Sequence, residues 1–486
     1  MDKGLLKHII TDLKNLQNNV LLVENNDGFL FREDLNKVFN DNGIRIVSRT
    51  SIQKRIDYEL RSSETILVLL SKHNSDYLED IKKDATTVEF FLEEYLNGFH
   101  IPSTVQLDLD ILEKLYTIKP IISLSKKETL QEIEKIRFSL NINVPEKIDM
   151  AAFIADINKE IDHPEKSWNK IAKLISKAIT DTIGTAQFDD VMTQVNNSNK
   201  IFQEVIQQTY QQTKNASSVK KPKIVSKILD YINFNFKGDK IALIVVDGLA
   251  YWQYEILKKK LPGKKIDNVI YSWIPSITQL SRQAIFRGDT PHTDYVQGPI
   301  NEKKLWLRYW KNKGLNDFEV GYAHENVKLE NLALITKYAL VFKDLDEKMH
   351  SSSDYKDLLK LTENWVERSQ IVSVVENLLK EGFKIFLTTD HGNIQARGWR
   401  GLQGKEKLGT NKSGSRSERH IEYSEKWLFD EFIKNNPDIA DAIVMEEKAI
   451  YFRNDQSFSR KDTLVTHGGA HLLEVLIPFI EIIDEK

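Results

Sequence analysis

Residues 240–248 read KIALIVVDG, and residues 384–392 read KIFLTTDHG. Each is a run of apolar or β-branched residues closed by an acidic turn that contains glycine. An unbroken run of this kind suits a strand buried on both faces, as in the parallel sheets of α/β proteins. In open α/β sheets, ligands collect at the carboxyl ends of the strands. Both runs end there in carboxylates, Asp247 and Asp390, and the second adds His391. A third apolar segment, LLEVLIPFIEII, lies at 472–483. Together they predict one α/β domain over 226–486, with a mixed or parallel sheet flanked by helices.

Further out, VLLV at 20–23, IRIV at 44–47 and TILVLL at 65–70 alternate with the helix-compatible segments REDLNKVFND and SIQKRIDYEL. That alternation predicts a small α/β domain over 1–103. From 104 to 225 the pattern turns helical, as in LDILEKLYTI, WNKIAKLISKAI and IFQEVIQQTYQQT. The polar, basic stretch KNASSVKKPK at 214–223 then reads as a linker.

A chain of 486 residues with 41% hydrophobic and 29% charged residues can bury more than one core. Its net charge of −3, from 68 basic and 71 acidic residues, names no partner, so polyanion binding would need a local patch. The absence of cysteine excludes disulfides, thiolate catalysis and cysteine-ligated metal. The opening MDKGLLKHIITDLKNLQNN lacks the continuous apolar core of a signal peptide. No segment reaches membrane-spanning length either. A soluble, cytoplasmic protein is expected, with no membrane association.

The chemistry-bearing residues gather in the C-terminal half. Asp247 precedes Gly248 in what is also a common turn. Asp390 and His391 are adjacent on a bent turn and could face one ion. Asp346 and His350, in KDLDEKMH, are four apart, which puts both on one helix face as ligands or as an ordinary ion pair. His467 lies in THGGAH at 466–471, where glycines let the backbone fold tightly around a bound group. Carboxylates and imidazoles without thiols suit zinc or manganese, and magnesium less well. Two such ions, roughly 4 Å apart, could bind both the attacking and the leaving oxygen of a phosphoryl displacement. IPSITQLSRQAIFRG at 274–288 supplies Ser276 and Thr278 as candidate nucleophiles, or simply as caps of the adjoining helix.

Taken in order, VVDGLAYWQ, IPSITQLSRQAIFRG, VFKDLDEKMH, LTTDHGN and THGGAHLLEVLIP resemble the PglZ-domain family of the alkaline phosphatase superfamily. The resemblance spans about residues 236–484. It implies an alkaline-phosphatase-like fold with two divalent ions, zinc first. One ion would be held by Asp346, His350 and His467, and the other by Asp247, Asp390 and His391. Thr278 would bridge them as nucleophile, with Ser276 as second choice. His471 stands where the family carries a small hydroxyl residue and could compete with His467. The resemblance also implies a place in bacterial phage defence, as in bacteriophage exclusion, with other defence proteins docking on the N-terminal half. VENNDG, after the first strand, lacks the acidic cluster of a receiver domain.

Between Ile394 and His420 lie Arg397, Arg400, Lys405, Lys407, Lys412, Arg416 and Arg419, against Glu406 and Glu418 only. Five glycines and three serines accompany them, which predicts a mobile loop. Arg397, Arg400, Arg416 and Arg419 are the expected contacts to a phosphate-ester substrate, and Trp399 could stack on a base. The expected activity is therefore that of a metal-dependent phosphodiesterase or phosphatase, with single-stranded nucleic acid or an oligonucleotide among the substrates. The alternatives are a metal-stabilised assembly module with little turnover and a nucleic-acid-binding protein.

Overall fold

The computed structural model describes residues 4–48, 51–71, 79–139, 148–163, 167–217, 220–325, 327–410 and 417–484. Its contacts separate two compact units, Met1–Glu146 and Lys147–Lys486.

In the first unit, β1 (Val20–Glu24), β2 (Ile44–Val47), β3 (Ile66–Ser71) and β4 (Thr86–Glu89) form a parallel sheet ordered β2-β3-β1-β4. Helices α1 (Gly4–Asn15), α2 (Asn36–Asp41), α3 (Ser51–Glu59) and α4 (Glu79–Asp84) accompany it. The three apolar runs are strands β1 to β3. The fourth strand is not expected from the sequence, because TTVE alternates half-buried and exposed residues and has no apolar run. Helices α5 (Leu109–Thr117) and α6 (Lys126–Ser139) also belong here. Ile111, Leu112, Leu115, Ile133 and Ile136 share one core with Leu21, Val23, Val68 and Leu70.

The second unit begins with α7 (Met150–Asp162), α8 (Trp168–Thr182) and α9 (Phe188–Lys214). Their apolar faces do not close on one another alone. Ile171, Ile175 and Phe202 enter the same core as Trp252, Leu472 and Leu473. The helical stretch expected over 104–225 is thus divided between the two units, each half following the core that covers its apolar face. The stretch at 214–223 does not set α9 apart from the C-terminal domain: Tyr210, near the end of α9, accepts the backbone N–H of Ile274 at 2.8 Å.

Next come α10 (Ile228–Asn235), β5 (Ile241–Val246), α11 (Tyr251–Lys258), β6 (Lys264–Tyr271), α12 (Thr278–Arg287), α13 (Pro299–Asn312), β7 (Val320–His324), β8 (Lys337–Phe342), α14 (Asp344–Ser351), α15 (Tyr355–Arg368), α16 (Ile371–Lys380) and β9 (Lys384–Thr388). Two small sheets come after them. In the first, β10 (Ile394–Gly398) runs between β14 (Gln456–Ser457) and β15 (Thr463–Thr466). In the second, β11 (His420–Glu422) and β12 (Ile443–Glu446) flank β13 (Ala449–Phe452). The last strand, β16 (Leu476–Ile483), returns to the large sheet, ordered β6-β16-β9-β5-β8-β7.

Strand β5 explains why its sequence is unbroken in apolar character. Ala242, Ile244 and Val246 face a core shared with α11, α15 and α16. Ile241, Leu243 and Val245 face the opposite core, shared with α10, α12 and α13. The result is a mixed sheet sandwiched between helices. β5, β8 and β9 are parallel, so their carboxyl ends lie at one edge. β16 is antiparallel to β9 and to β6, so the start of β16 and the end of β6 come to that same edge. The five motifs read from the sequence therefore converge on one edge of one sheet.

Candidate metal centre

Asp247 follows β5, and its N–H donates to Phe342 O at 2.8 Å, continuing the ladder into the turn. Gly248 has φ 72°, where a side chain would be strained, and a Cβ there would lie in van der Waals reach of Asp346. Its N–H donates to Asp390 Oδ1 at 3.2 Å, which ties the turns after β5 and β9 together. Gly392 lets the β9 turn approach the last motif, since a Cβ there would stand 2.1 Å from Leu473 O.

His391 Nε2 is 3.6 Å from both Asp247 Oδ1 and Asp390 Oδ2, and 3.0 Å from Thr278 Oγ1. On α14, His350 Nε2 is 3.4 Å from Asp346 Oδ1, and His467 Nε2 is 4.0 Å from the same oxygen. The His391 and His467 rings stack with centroids 3.7 Å apart. Each of these two rings lies with Nδ1 against a backbone carbonyl, Gly392 O at 2.9 Å and Ser276 O at 2.8 Å. A proton on Nδ1 leaves Nε2 with a free lone pair toward the site, the arrangement a metal-bound histidine needs.

Among the described residues, two sets of donor atoms stand close enough to share an ion: Asp346, His350 and His467, and Asp247, Asp346 and His391. Asp346 therefore lies between the sets, with Asp390 beside the second. Asp247 Oδ1, Asp346 Oδ1 and Asp390 Oδ2 are all buried without a hydrogen-bond partner. Three such oxygens would be costly unless a cation satisfies them. Hard oxygen and imidazole donors fit two divalent ions.

The charges are strongly perturbed. Burial, then the neighbouring Asp390 and Asp346, pushes Asp247 well above the carboxylate range against the pull of Arg282. Burial also opposes ionisation of Asp346, yet the His350 imidazole beside it holds it below that range. Burial and the adjacent His391 push His467 well down.

The two hydroxyl candidates have different surroundings. Thr278 opens α12, half-buried, with its oxygen among the donor atoms. Ser276 is fully buried in the backbone knot behind His467: its Oγ donates to Glu474 Oε1 and accepts from Gly468 N–H at 3.0 Å. His471 does not compete with His467. Its Nδ1 accepts from Leu473 N–H, and its Nε2 meets Asn196 Oδ1 on α9 at 3.2 Å.

The basic segment needs correction. It is not a loop throughout: β10 pairs with β15, and residues Gly404–Leu408 form a helical turn. Arg419 is fully buried, bonded to both Glu474 oxygens and to the carbonyls of Phe452, Asn454 and Gln456. It cannot reach an extended polyanion. Arg400 forks onto Glu406 at 2.7 and 2.9 Å, and Trp399 donates to Asp438 while packing on Phe432 and Phe458. Arg397 is exposed but paired with Asp455 at 2.9 Å. Arg416 lies outside the described residues.

Arg282, Glu302 and Glu474 do not stand out in the sequence. Arg282, fully buried, donates to Asp247 Oδ2 and Glu302 Oε2, both at 2.7 Å. Its spacing of four from Thr278 on one helix was a usable signal, as was a lone glutamate in the apolar LLEV. Nothing in the local sequence marks Glu302.

A family model described as the BREX system PglZ alkaline phosphatase-like domain matches residues 226–482, more than half of the chain. Among solved structures, murine ectonucleotide pyrophosphatase/phosphodiesterase 5 is similar at 14% identity and TM-score 0.36, over 50% of this chain and 88% of that one. Phosphonoacetate hydrolase from Sinorhizobium meliloti is similar at 9% identity and TM-score 0.32, over 50% and 89%. A search of curated proteins finds no match.

Proposed function

The chain belongs to the family of BREX system PglZ alkaline phosphatase-like domains, and from that premise we propose that it is a metal-dependent phosphoric ester hydrolase working in bacterial phage defence. The observation that carries this reading is the convergence of three unpartnered carboxylate oxygens beside the hydroxyl of Thr278. Asp346, His350 and His467 would hold one divalent ion, and Asp247, Asp390 and His391 the other, with zinc the first expectation. Bound there, the ions would lower the pKa of a nearby hydroxyl and stabilise charge developing on phosphoryl oxygens.

Thr278 Oγ1 is the nucleophile. After losing its proton it forms a P–O bond as the P–O bond to the ester oxygen breaks and that oxygen leaves with a proton as the alcohol. Water then attacks phosphorus, releasing the phosphate product and restoring the threonine hydroxyl. The N–H groups of Thr278 and Gln279, which precede the first α12 N–H bonded to Ile277 O, would donate to phosphoryl oxygens. Since Arg400, Arg419 and Trp399 are engaged within the protein, the substrate is proposed no more finely than a phosphate ester. Other defence proteins are the proposed partners, docking on the N-terminal half, and the cytoplasm is the proposed compartment. No helix among the described residues is long and apolar enough to cross a membrane.

The test is metal content measured alongside turnover of an aryl phosphate monoester and diester. Hydrolysis of either that is lost in chelator and restored by zinc or manganese is expected. Two bound ions with no hydrolysis of either ester would instead point to an assembly module, and equal rates without metal would remove the ions from the reaction.

A further inference from the structure

Asp247 uses its two oxygens differently. Oδ2 accepts Arg282 Nη1–H at 2.7 Å, whereas Oδ1 has no partner and stands 3.6 Å from His391 Nε2. An unrestrained carboxylate can turn about its last bond and offer either oxygen, or both. A single N–H from a planar guanidinium whose other arm is tied elsewhere restricts that freedom, holding Oδ2 and leaving Oδ1 toward the site.

Arg282 is itself fixed from the far side. Its Nη2 donates to Glu302 Oε2 at 2.7 Å, and that oxygen also accepts the Tyr322 hydroxyl at 2.7 Å. The Gln297 amide holds the other Glu302 oxygen. Arg282 and Glu302 are both fully buried. Stability alone is a poor reason for such a triad, since buried ion pairs are often no better than apolar side chains of the same volume. A bare guanidinium so close to a cation site would repel the ion, and Glu302 cancels that charge. What remains is direction without net charge.

We propose that Arg282 is a positioning residue for the ion held by Asp247, Asp390 and His391: it presents Asp247 as a one-oxygen ligand, and Glu302 neutralises its charge. The proposal rests on the two-ion reading above. Arg282 lies one turn after Thr278 on α12, so one helix sets both the nucleophile and the orientation of a ligand.

The experiment titrates metal-stripped full-length protein with cobalt, and with zinc against a competing chelator, for wild type, Arg282→Met, Arg282→Lys and Glu302→Gln. Melting curves in chelator check folding. Wild type should take two ions. Arg282→Met should keep one at wild-type affinity and bind the other at least about tenfold more weakly, with an altered cobalt absorption spectrum for that ion only. Arg282→Lys, which keeps charge but not the planar bridge between Asp247 and Glu302, should recover part of the affinity and not the spectrum. Glu302→Gln should weaken the same ion through charge. Two ions of unchanged affinity and spectrum in Arg282→Met overturn the proposal, as does tighter binding in that variant. If Arg282→Met does not fold, wild-type affinity and spectrum in Arg282→Lys overturn it. No ion bound by wild type would sink the two-ion reading itself, a distinguishable result.

Discussion

Around Glu474 both carboxylate oxygens have hydrogen-bond partners, while around Asp247, Asp346 and Asp390 three oxygens have none, with imidazoles nearby. Both clusters are buried at the same edge of the large sheet. Glu474 Oε1 accepts from Arg419, Ser276 and Gly469, and Oε2 from Arg419 and His471. The desolvation of that carboxylate is offset within the chain. In the aspartate cluster satisfaction is only partial: Asp390 Oδ1 accepts from Gly248 and His391 N–H, and Oδ2 from nothing. The saturated cluster holds backbone segments together, and the unsaturated one leaves three oxygens that a cation could satisfy.

The largest effect separating the clusters should be on chemistry. Thr278→Ala is expected to lower turnover by a factor on the order of a thousand or more, with metal-induced stabilisation intact. Thr278→Ser should retain part of the rate. Single-turnover kinetics with calorimetric melting check both, and a fully active alanine variant would end the nucleophile assignment.

Next comes stability. Arg419→Ala strands a buried carboxylate and should cost about 3–5 kcal/mol, with or without metal. Asp390→Asn should change chelator-treated protein by no more than about 1 kcal/mol, because it relieves repulsion, yet abolish much of the metal-induced gain. Chemical denaturation under both conditions decides. Equal metal dependence of the two variants would erase the contrast between the clusters.

A third comparison uses pH. His420 is buried, its Nδ1 has no partner, and burial pulls its pKa from 6.5 down to about 4. Between those values the unfolded chain binds more protons than the folded one. Stability is therefore full above pH 6.5 and falls as pH drops toward 4, by up to about 3 kcal/mol from this group. His420→Gln should flatten that slope in denaturation curves recorded across the window. His467 and His471, also pushed down by burial, act in the same direction and leave a residual slope. An unchanged slope would show that His420 is not desolvated.

The smallest expected effect is that of Ser276→Ala. It removes a hydroxyl bonded to Glu474 and to Gly468, and should cost about 1–2 kcal/mol. Turnover measured well below the melting point should change little. Loss of turnover with unchanged stability would move the nucleophile to Ser276.

What was legible in the sequence was whatever local pattern carries. Strands buried on both faces have unbroken apolar runs, so β5 and β9 and their terminal aspartates stood out from composition alone. The spacing of Asp346 and His350 on one helix face is also local. Partners across space are not encoded that way. Only the fold showed that β16 runs antiparallel beside β9 and so delivers His467 to the edge where Asp346 lies. The family resemblance already ranked Thr278 ahead of Ser276, and the fold added the physical difference: Thr278 lies beside the donor cluster, whereas Ser276, two residues away, is walled into a knot. Only the fold hid Arg419. A run of arginines and glycines reads as a solvated loop because sequence reports charge, whereas burial depends on whether a distant carboxylate such as Glu474 is waiting. The helices of 104–225 divided between two cores for the same reason: periodicity marks which face of a helix must be covered, and tertiary packing chooses what covers it.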